Sequence, residues 1–436
     1  MTNIFKAYDI RGIYGENIDK DVAYNLGRSF VIFLKKKHPK IVIGSDNRSS
    51  SSELYDYLKK GINDQGGTVI NIGLATTPML YFGTCFFKTD GGIMITASHN
   101  PKEYNGFKLV SKNALPIGEE TGLMDIKKIY ETLGTEIKKG GKTIKKNILN
   151  DYIKFTQADF NLKEFNFKIG IDTANAVSSI LIDKIFKKTN CKVYHINKEL
   201  DSNFPNHDPD PLQKSNSKQI INLIKEKKLD LGIAFDGDGD RIVFLDENAK
   251  IISSDIILAL LADVLGEKVL YDLRCSNIIS EIAGEKAYRS RVGHSFIKRI
   301  MKEEKIYIGG EYSGHFYLND GKYCFEAPFF ILFKLLEQMK LSSKKMSELV
   351  KPYQKYFHSG EINFKVGDKN KVIKKIEEKY KDGKKTKIDG VRIDYDDFWF
   401  LVRASNTEPV LRLIIEAKNN KLLKEKEKEL KNLIVN

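Results

Sequence analysis

The chain has 436 residues, more than one hydrophobic core usually holds, so several domains are expected. Its composition, 41% hydrophobic and 30% charged, is that of a globular protein, and its most apolar stretch, Ala327 to Met339, is too short and too charged to span a bilayer. The net charge of +14 comes largely from lysines scattered over apparent helix surfaces such as Lys421 to Lys431, with no aromatic–basic pattern beside them, so neither nucleic acid nor a membrane is expected as a partner.

The N-terminal MTNIFKAYDIRG has no apolar core segment and does not read as a signal peptide. The four cysteines (Cys85, Cys191, Cys275, Cys324) form no CxxC pair, which argues against a zinc site or a disulfide framework and fits a reducing cytoplasm.

In chain order, one unit recurs: an apolar strand, a polar loop, an amphipathic helix. Lys40 to Asp46 is followed by a helix near Ser52 to Gly61, Phe167 to Asp172 by one near Ser178 to Lys188, and Lys268 to Asp272 by one near Ile278 to Gly284. Strands alternating with helices at a spacing of roughly 100 residues predict three similar α/β domains with parallel or mixed sheets. From about Ser359 the pattern becomes strand, helix (Lys371 to Tyr380), three strands (Val391 to Tyr395, Phe398 to Ala404, Leu411 to Ala417) and a terminal helix, a smaller α+β domain. Boundaries are expected at 1–146, 147–247, 248–357 and 358–436.

Four segments carry chemistry. In Gly91-Gly-Ile-Met-Ile-Thr-Ala-Ser-His-Asn-Pro101 a strand stops at small and polar residues. That puts Ser98 on a tight loop at a strand's C-terminal end, where α/β proteins place ligands and where a hydroxyl can carry a phosphoryl group. A serine bonding its own backbone in a turn would look the same. In Asp236-Gly-Asp-Gly-Asp-Arg241, glycines let three carboxylates converge on one cation, and three adjacent anions would repel each other without one. Arg241 at the sixth position and apolar strands on both flanks argue against an EF-hand, and a solvated acidic turn is the other reading. Ile308-Gly-Gly-Glu-Tyr-Ser-Gly-His315 presents a carboxylate, a hydroxyl and an imidazole, of which Glu311 and Ser313 suit sugar hydroxyls; an ordinary Gly-rich turn would look the same. Leu401-Val-Arg-Ala-Ser-Asn-Thr407 places Arg403, Ser405, Asn406 and Thr407 together as a phosphate cradle, or Arg403 as a salt bridge beside a polar turn. Smaller candidates are Tyr8, Arg11, Arg48, Arg274 and His294.

Together, AYDIRG, TASHNP, DGDGDR, GEYSGH and RASNTEP, in order over nearly the whole chain, resemble the α-D-phosphohexomutase family, in its phosphomannomutase/phosphoglucomutase branch. The resemblance implies three similar α/β domains and a smaller C-terminal α+β domain around a central cleft. It implies that Ser98 is phosphorylated and that Asp236, Asp238 and Asp240 bind Mg²⁺, with a phosphoserine oxygen completing the site. Glu311 and Ser313 would hold sugar hydroxyls, and Arg403, Ser405, Asn406 and Thr407 the non-reacting phosphate. Arg11, His99 and Lys108 match positions near the serine tied to proton transfer or phosphate stabilisation, with Lys108 or His99 as the base. A lysine base would need a depressed pKa. Tyr8, Arg241, Arg274, His294 and His315 match substrate-binding positions.

The implied reaction interconverts hexose 1-phosphate and hexose 6-phosphate, of mannose or glucose, through a hexose 1,6-bisphosphate that also serves as activator. Hinge motion of the last domain would accompany it. Gly239 and Tyr312 favour this branch over phosphoacetylglucosamine and phosphoglucosamine mutases, which usually carry alanine and glutamine there. The competing readings are a phosphoglucosamine mutase, a metal-dependent phosphatase and a non-catalytic sugar-phosphate sensor. A monomer or weak dimer acting on small hexose phosphates is expected.

Overall fold

The computed structural model describes residues 4–405 and 410–435. Apolar runs such as Lys40–Ser45 and Lys168–Asp172 fold as strands buried on both faces, as expected where helices cover a sheet.

In the first, seven-stranded sheet, Lys40–Ser45 runs parallel to both of its neighbours, Thr68–Leu74 and Gly91–Ile95. Tyr104–Ser111 pairs antiparallel with Gly91–Ile95, and Ile10–Ile13 antiparallel with Tyr104–Ser111, so the sheet is mixed. The register sets Ile10 opposite Phe107, and both enter the core beside Phe30 and Leu54 of the covering helices Lys20–Phe33 and Ser51–Asp64. Side chains alternate across a strand, so Arg11, opposite Gly106, and Lys108 share the other face.

In the second sheet, Lys168–Asp172 lies parallel to Leu231–Phe235 and Lys192–Ile196. Leu231–Phe235 turns back on Ile242–Leu245 in an antiparallel hairpin closed by the pair Phe235–Ile242, and the aspartate triplet is its connection. In the third domain, Val269–Asp272 is flanked in parallel by Ala287–Ser290 and Ile308–Gly310. The three lead strands end alike. Asp46, Asp172 and Asp272 each accept the backbone N–H two residues on, from Arg48, Ala174 and Arg274, at 3.0, 2.9 and 2.7 Å. A short polar side chain satisfies the first free amide of the loop each time.

The C-terminal sheet is antiparallel and built on Leu411–Ala417 and Phe398–Ala404. Alternation puts Phe400, Val402, Leu413 and Ile415 under the helices Lys369–Lys379 and Asn420–Val435, while Trp399, Leu401 and Ile414 pack with Leu273 on the other face. Val391–Asp394 pairs with Phe398–Ala404, and short strands at Phe357–His358, Ile362–Phe364 and Lys384–Thr386 complete the six; two or three residues are too few to register as a pattern in sequence. The chain is thus three α/β domains and a smaller α+β domain.

By contacts the residues fall into two units, 1–253 with 313–349, and 254–312 with 350–436. Segment 313–349 joins the first through helix Pro328–Ser342, whose Phe333 packs on Phe160, Phe165 and Phe186. Among the described residues, no helix is long and apolar enough to cross a membrane.

Candidate active site

Strand Gly91–Ile95 delivers the chain to Ser98, which has φ +51°, left-handed and uncommon for a residue with a Cβ. The Ser98 amide donates to Thr96 Oγ1 at 2.8 Å. The Ser98 hydroxyl makes a long-range contact instead, donating to Asp236 Oδ2 at 2.8 Å. His99 Nδ1 lies 3.3 Å from the same hydroxyl.

Asp236, Asp238 and Asp240 are buried, and one oxygen from each lies within 4.8 Å of the others. The turn that gathers them needs Gly239 at φ +68°. Thr77 holds the middle of the turn: its amide donates to the Asp238 carbonyl at 2.9 Å and its hydroxyl to Asp238 Oδ2 at 2.5 Å. Lys108 Nζ donates to Asp238 Oδ2 at 2.7 Å and to Asp240 Oδ2 at 2.5 Å. Asp238 Oδ1 is buried without a hydrogen-bond donor. Burial, with Asp240 and Asp238 adding to it, pushes the Asp236 carboxyl well above the usual range. Hard oxygens converging with unsatisfied lone pairs, and a carboxylate resisting ionisation, fit a divalent cation. Asp236, Asp238 and Asp240 would hold it, with Ser98 Oγ adjacent.

Two bases were expected near the serine, and the structure separates them. Burial disfavours the Lys108 ammonium, but Asp238 and Asp240 outweigh it and raise its pKa above the ordinary value. The depressed pKa that a lysine base needs is absent. His99 moves the other way: Arg241 foremost, then burial, Arg11 and Lys108 hold its pKa well below normal, leaving a neutral imidazole. Arg11 Nη1 donates to Asn100 Oδ1 at 2.6 Å, and its other terminal nitrogen donates to Asp9. Tyr8 lies in the bend before strand Ile10–Ile13. His315 Nε2 is 3.2 Å from Asp240 Oδ1, and Ser313 Oγ is 3.2 Å from His315 Nδ1, so the end of the sugar loop rests on the metal loop. Arg241 Nε lies 3.9 Å from Asp236 Oδ2.

The remaining candidates belong to the second unit. Glu311 follows strand Ile308–Gly310, and Arg274 Nη2 donates to it at 3.4 Å and to Asp272 at 2.6 Å. His294 opens helix His294–Glu303. Arg403 is buried and paired with Asp389 at 3.3 Å, the salt bridge weighed for it from sequence. The Ser405 amide donates to the Val410 carbonyl at 2.9 Å, while Asn406 and Thr407 lie outside the described residues.

Thr77 and Asn100 were missed in the sequence. Thr77 opens helix Thr77–Phe86 behind its cap Thr76, and that Thr-Thr-Pro start was the only local signal.

These features define a class, the multidomain α/β proteins that present a serine hydroxyl to a candidate divalent-metal site. The chain belongs to the phosphoglucomutase/phosphomannomutase family: the models of its α/β/α domains I, II and III and of its C-terminal domain match residues 2–136, 150–250, 253–356 and 361–433. It is 43% identical over 444 residues to a phosphomannomutase of Methanocaldococcus jannaschii, covering 99% of this chain and 97% of that one. It is 34% identical over 429 residues to a phosphomannomutase/phosphoglucomutase of Pseudomonas syringae pv. tomato, covering 95% and 91%. A solved phosphoglucomutase/phosphomannomutase family protein from Burkholderia thailandensis superposes with a TM-score of 0.91 at 30% identity, covering 99% and 97%.

Proposed function

We propose that this protein is a phosphohexomutase that interconverts the 1- and 6-phosphates of mannose, glucose or both through phosphorylated Ser98 and a hexose 1,6-bisphosphate. The observation that carries the phosphoserine cycle is the 2.8 Å contact between Ser98 Oγ and Asp236, inside a buried carboxylate trio. The substrate class follows from the relatives' names, phosphomannomutase and phosphomannomutase/phosphoglucomutase.

In the forward half-reaction the Oγ–P bond of phosphoserine breaks and a bond forms from phosphorus to the sugar's free hydroxyl oxygen. The hydroxyl's proton passes to a base, for which neutral His99 is suited. His99 passes that proton to the leaving Ser98 oxygen, the bisphosphate reorients, and its other O–P bond breaks as the phosphoryl group moves to Ser98 Oγ; the serine's proton returns through His99 to the sugar oxygen, which leaves as the hydroxyl of the product hexose phosphate. Such transfer depends on in-line placement and charge neutralisation more than on covalent help. Lys108 and Arg241 supply fixed positive charge beside the serine, and Arg11 anchors the loop at Asn100. Asp236, Asp238 and Asp240 would hold Mg²⁺, which would supply charge neutralisation at the transferring group. Glu311 and Ser313 are assigned to sugar hydroxyls, and Tyr8, Arg274, His294 and His315 to substrate binding, by the positions they match in the family. Arg403, Ser405, Asn406 and Thr407 hold the distal phosphate. The protein works as a monomer or weak dimer.

Incubation with mannose 1-phosphate, Mg²⁺ and a trace of glucose 1,6-bisphosphate should give mannose 6-phosphate and no free phosphate. Ser98→Ala should lower turnover by about 10³-fold or more. Near-normal turnover in that variant, or release of inorganic phosphate as the main product, would refute the reading.

A further inference from the structure

We infer that Arg48 is a positioning residue for the phosphoryl cycle: its guanidinium holds the serine loop in the one shape that aims Ser98 Oγ at the carboxylate trio. The inference rests on the phosphoserine reading above and adds to it a residue that touches neither substrate nor metal.

Arg48 is 3% exposed. Its Nη2 donates to the carbonyls of Ser98 at 2.9 Å and Asn100 at 2.6 Å. Its Nη1 donates to those of Pro101 at 2.6 Å and Tyr104 at 3.1 Å, and its Nε to Asp46 Oδ2 at 3.2 Å. A guanidinium has five N–H donors, and here each has an acceptor. Four of the five are carbonyls of one short loop, turned inward around a single planar cation. The Phe204 ring, itself buried, lies 5.1 Å from the guanidinium carbon and closes it off.

The shape so held is costly for the chain. Ser98 sits at φ +51°, and its carbonyl faces the metal loop so closely that a Cβ on Gly237 would fall 2.3 Å from it. The carbonyl that Arg48 grips is therefore the one that sets how near the serine comes to the aspartates. Without the guanidinium, each buried carbonyl loses its donor and the loop relaxes to recover partners. Lysine cannot substitute, because three donors on one point do not span four carbonyls.

The arginine is not required by the fold. The same aspartate-closed turn forms in the second domain with Ala174 at the equivalent position. In the third domain the equivalent Arg274 donates to the carboxylates of Asp272 and Glu311. In the first domain, beside the serine, the arginine grips four carbonyls of the loop.

The test uses the full chain with Arg48→Lys and Arg48→Met. Thermal melts, kcat and KM for mannose 1-phosphate, and the ³¹P resonance of the phosphorylated enzyme are measured beside Ser98→Ala. Both arginine variants should fold and keep KM within about threefold, while kcat falls about 100-fold in Met and at least about tenfold in Lys, the cost expected of a reacting atom misplaced by an ångström. The phosphoserine resonance should shift or broaden in both. A folded variant with kcat within about threefold of the parent overturns the inference, as does a loss that only tracks the folded fraction, or failure of both variants to fold, which would make the role structural. If Ser98→Ala keeps its turnover, the phosphoserine reading fails. If Ser98→Ala is silent and the arginine variants are normal, the Arg48 inference alone fails.

Discussion

Lys108 and His99 approach the same reaction centre in opposite protonation states. Lys108 is wedged between Asp238 and Asp240, so its ammonium is the form the site favours. His99 faces Arg241, Arg11 and Lys108, so its imidazole stays neutral. In the proposed cycle the pair would divide the work, one residue supplying fixed charge and the other a lone pair. Asp238 is the residue at which metal binding is best isolated, since its Oδ1 is buried without a donor. Asp238→Asn should weaken Mg²⁺ binding by about 10-fold or more, read by calorimetry on the metal-free protein. Unchanged affinity would remove Asp238 from the site.

Two connections act at the scale of the element. The metal loop closes its hairpin against the serine loop, and Gly237 is the point of contact, where a Cβ would lie 2.3 Å from the Ser98 carbonyl and 3.2 Å from Pro209. Neither is the end of a flexible side chain, so the loops must part. Gly237→Ala should lower kcat by about 100-fold while the secondary structure seen by circular dichroism is unchanged. The second connection is the segment after strand Lys192–Ile196, pinned to the end of strand Lys168–Asp172 by His207 Nε2, 3.0 Å from Asp172 Oδ2. Burial disfavours the imidazolium, but the Asp172 hydrogen bond and charge outweigh it, with Asp208 adding to them, and raise the His207 pKa above its ordinary value. A raised folded pKa means the charged form stabilises. That contribution is full below the ordinary histidine pKa of about 6.5 and fades as pH rises through the folded value. His207→Gln should thus cost more stability at pH 6 than at pH 8.5, read as the shift in urea midpoint. Equal shifts at both pH values would refute the pairing.

At the scale of the whole molecule, contact and chain order disagree. Segment 313–349 lies within the third domain in sequence yet packs in the first unit. Phe82 is the clearest fastener there. It touches Tyr152 and Phe155 of helix Leu149–Gln157, and Tyr323 beside strand Cys324–Glu326. Phe82→Ala should destabilise by about 3–5 kcal/mol in chemical unfolding, with little change in KM for substrate. In the second unit Arg392 plays a similar part, stacked on Trp399 and donating to the Leu273 carbonyl at 2.8 Å. These fasteners were invisible in sequence because aromatic and basic residues are common, and only their partners distinguish them.

Much of the site was legible. Strand–loop–helix repeats, the DGDGD triplet and Ser98 at a strand end follow from period-2 burial and from glycine's freedom in turns, which are local properties. The helix read at Lys371 to Tyr380 spans Lys369–Lys379, because helix ends are set by caps such as Asp368 as much as by periodicity. What the sequence by itself determined was which residue types stand where on each strand and loop. Tertiary structure alone decided that the Ser98 hydroxyl turns to Asp236, that Lys108 is held as an ammonium while His99 is neutral, and that Arg48 spends every donor it has on its surroundings. Hydrogen bonds and charge shifts act through space at a few ångströms, and residues 138 positions apart meet only when the chain has folded.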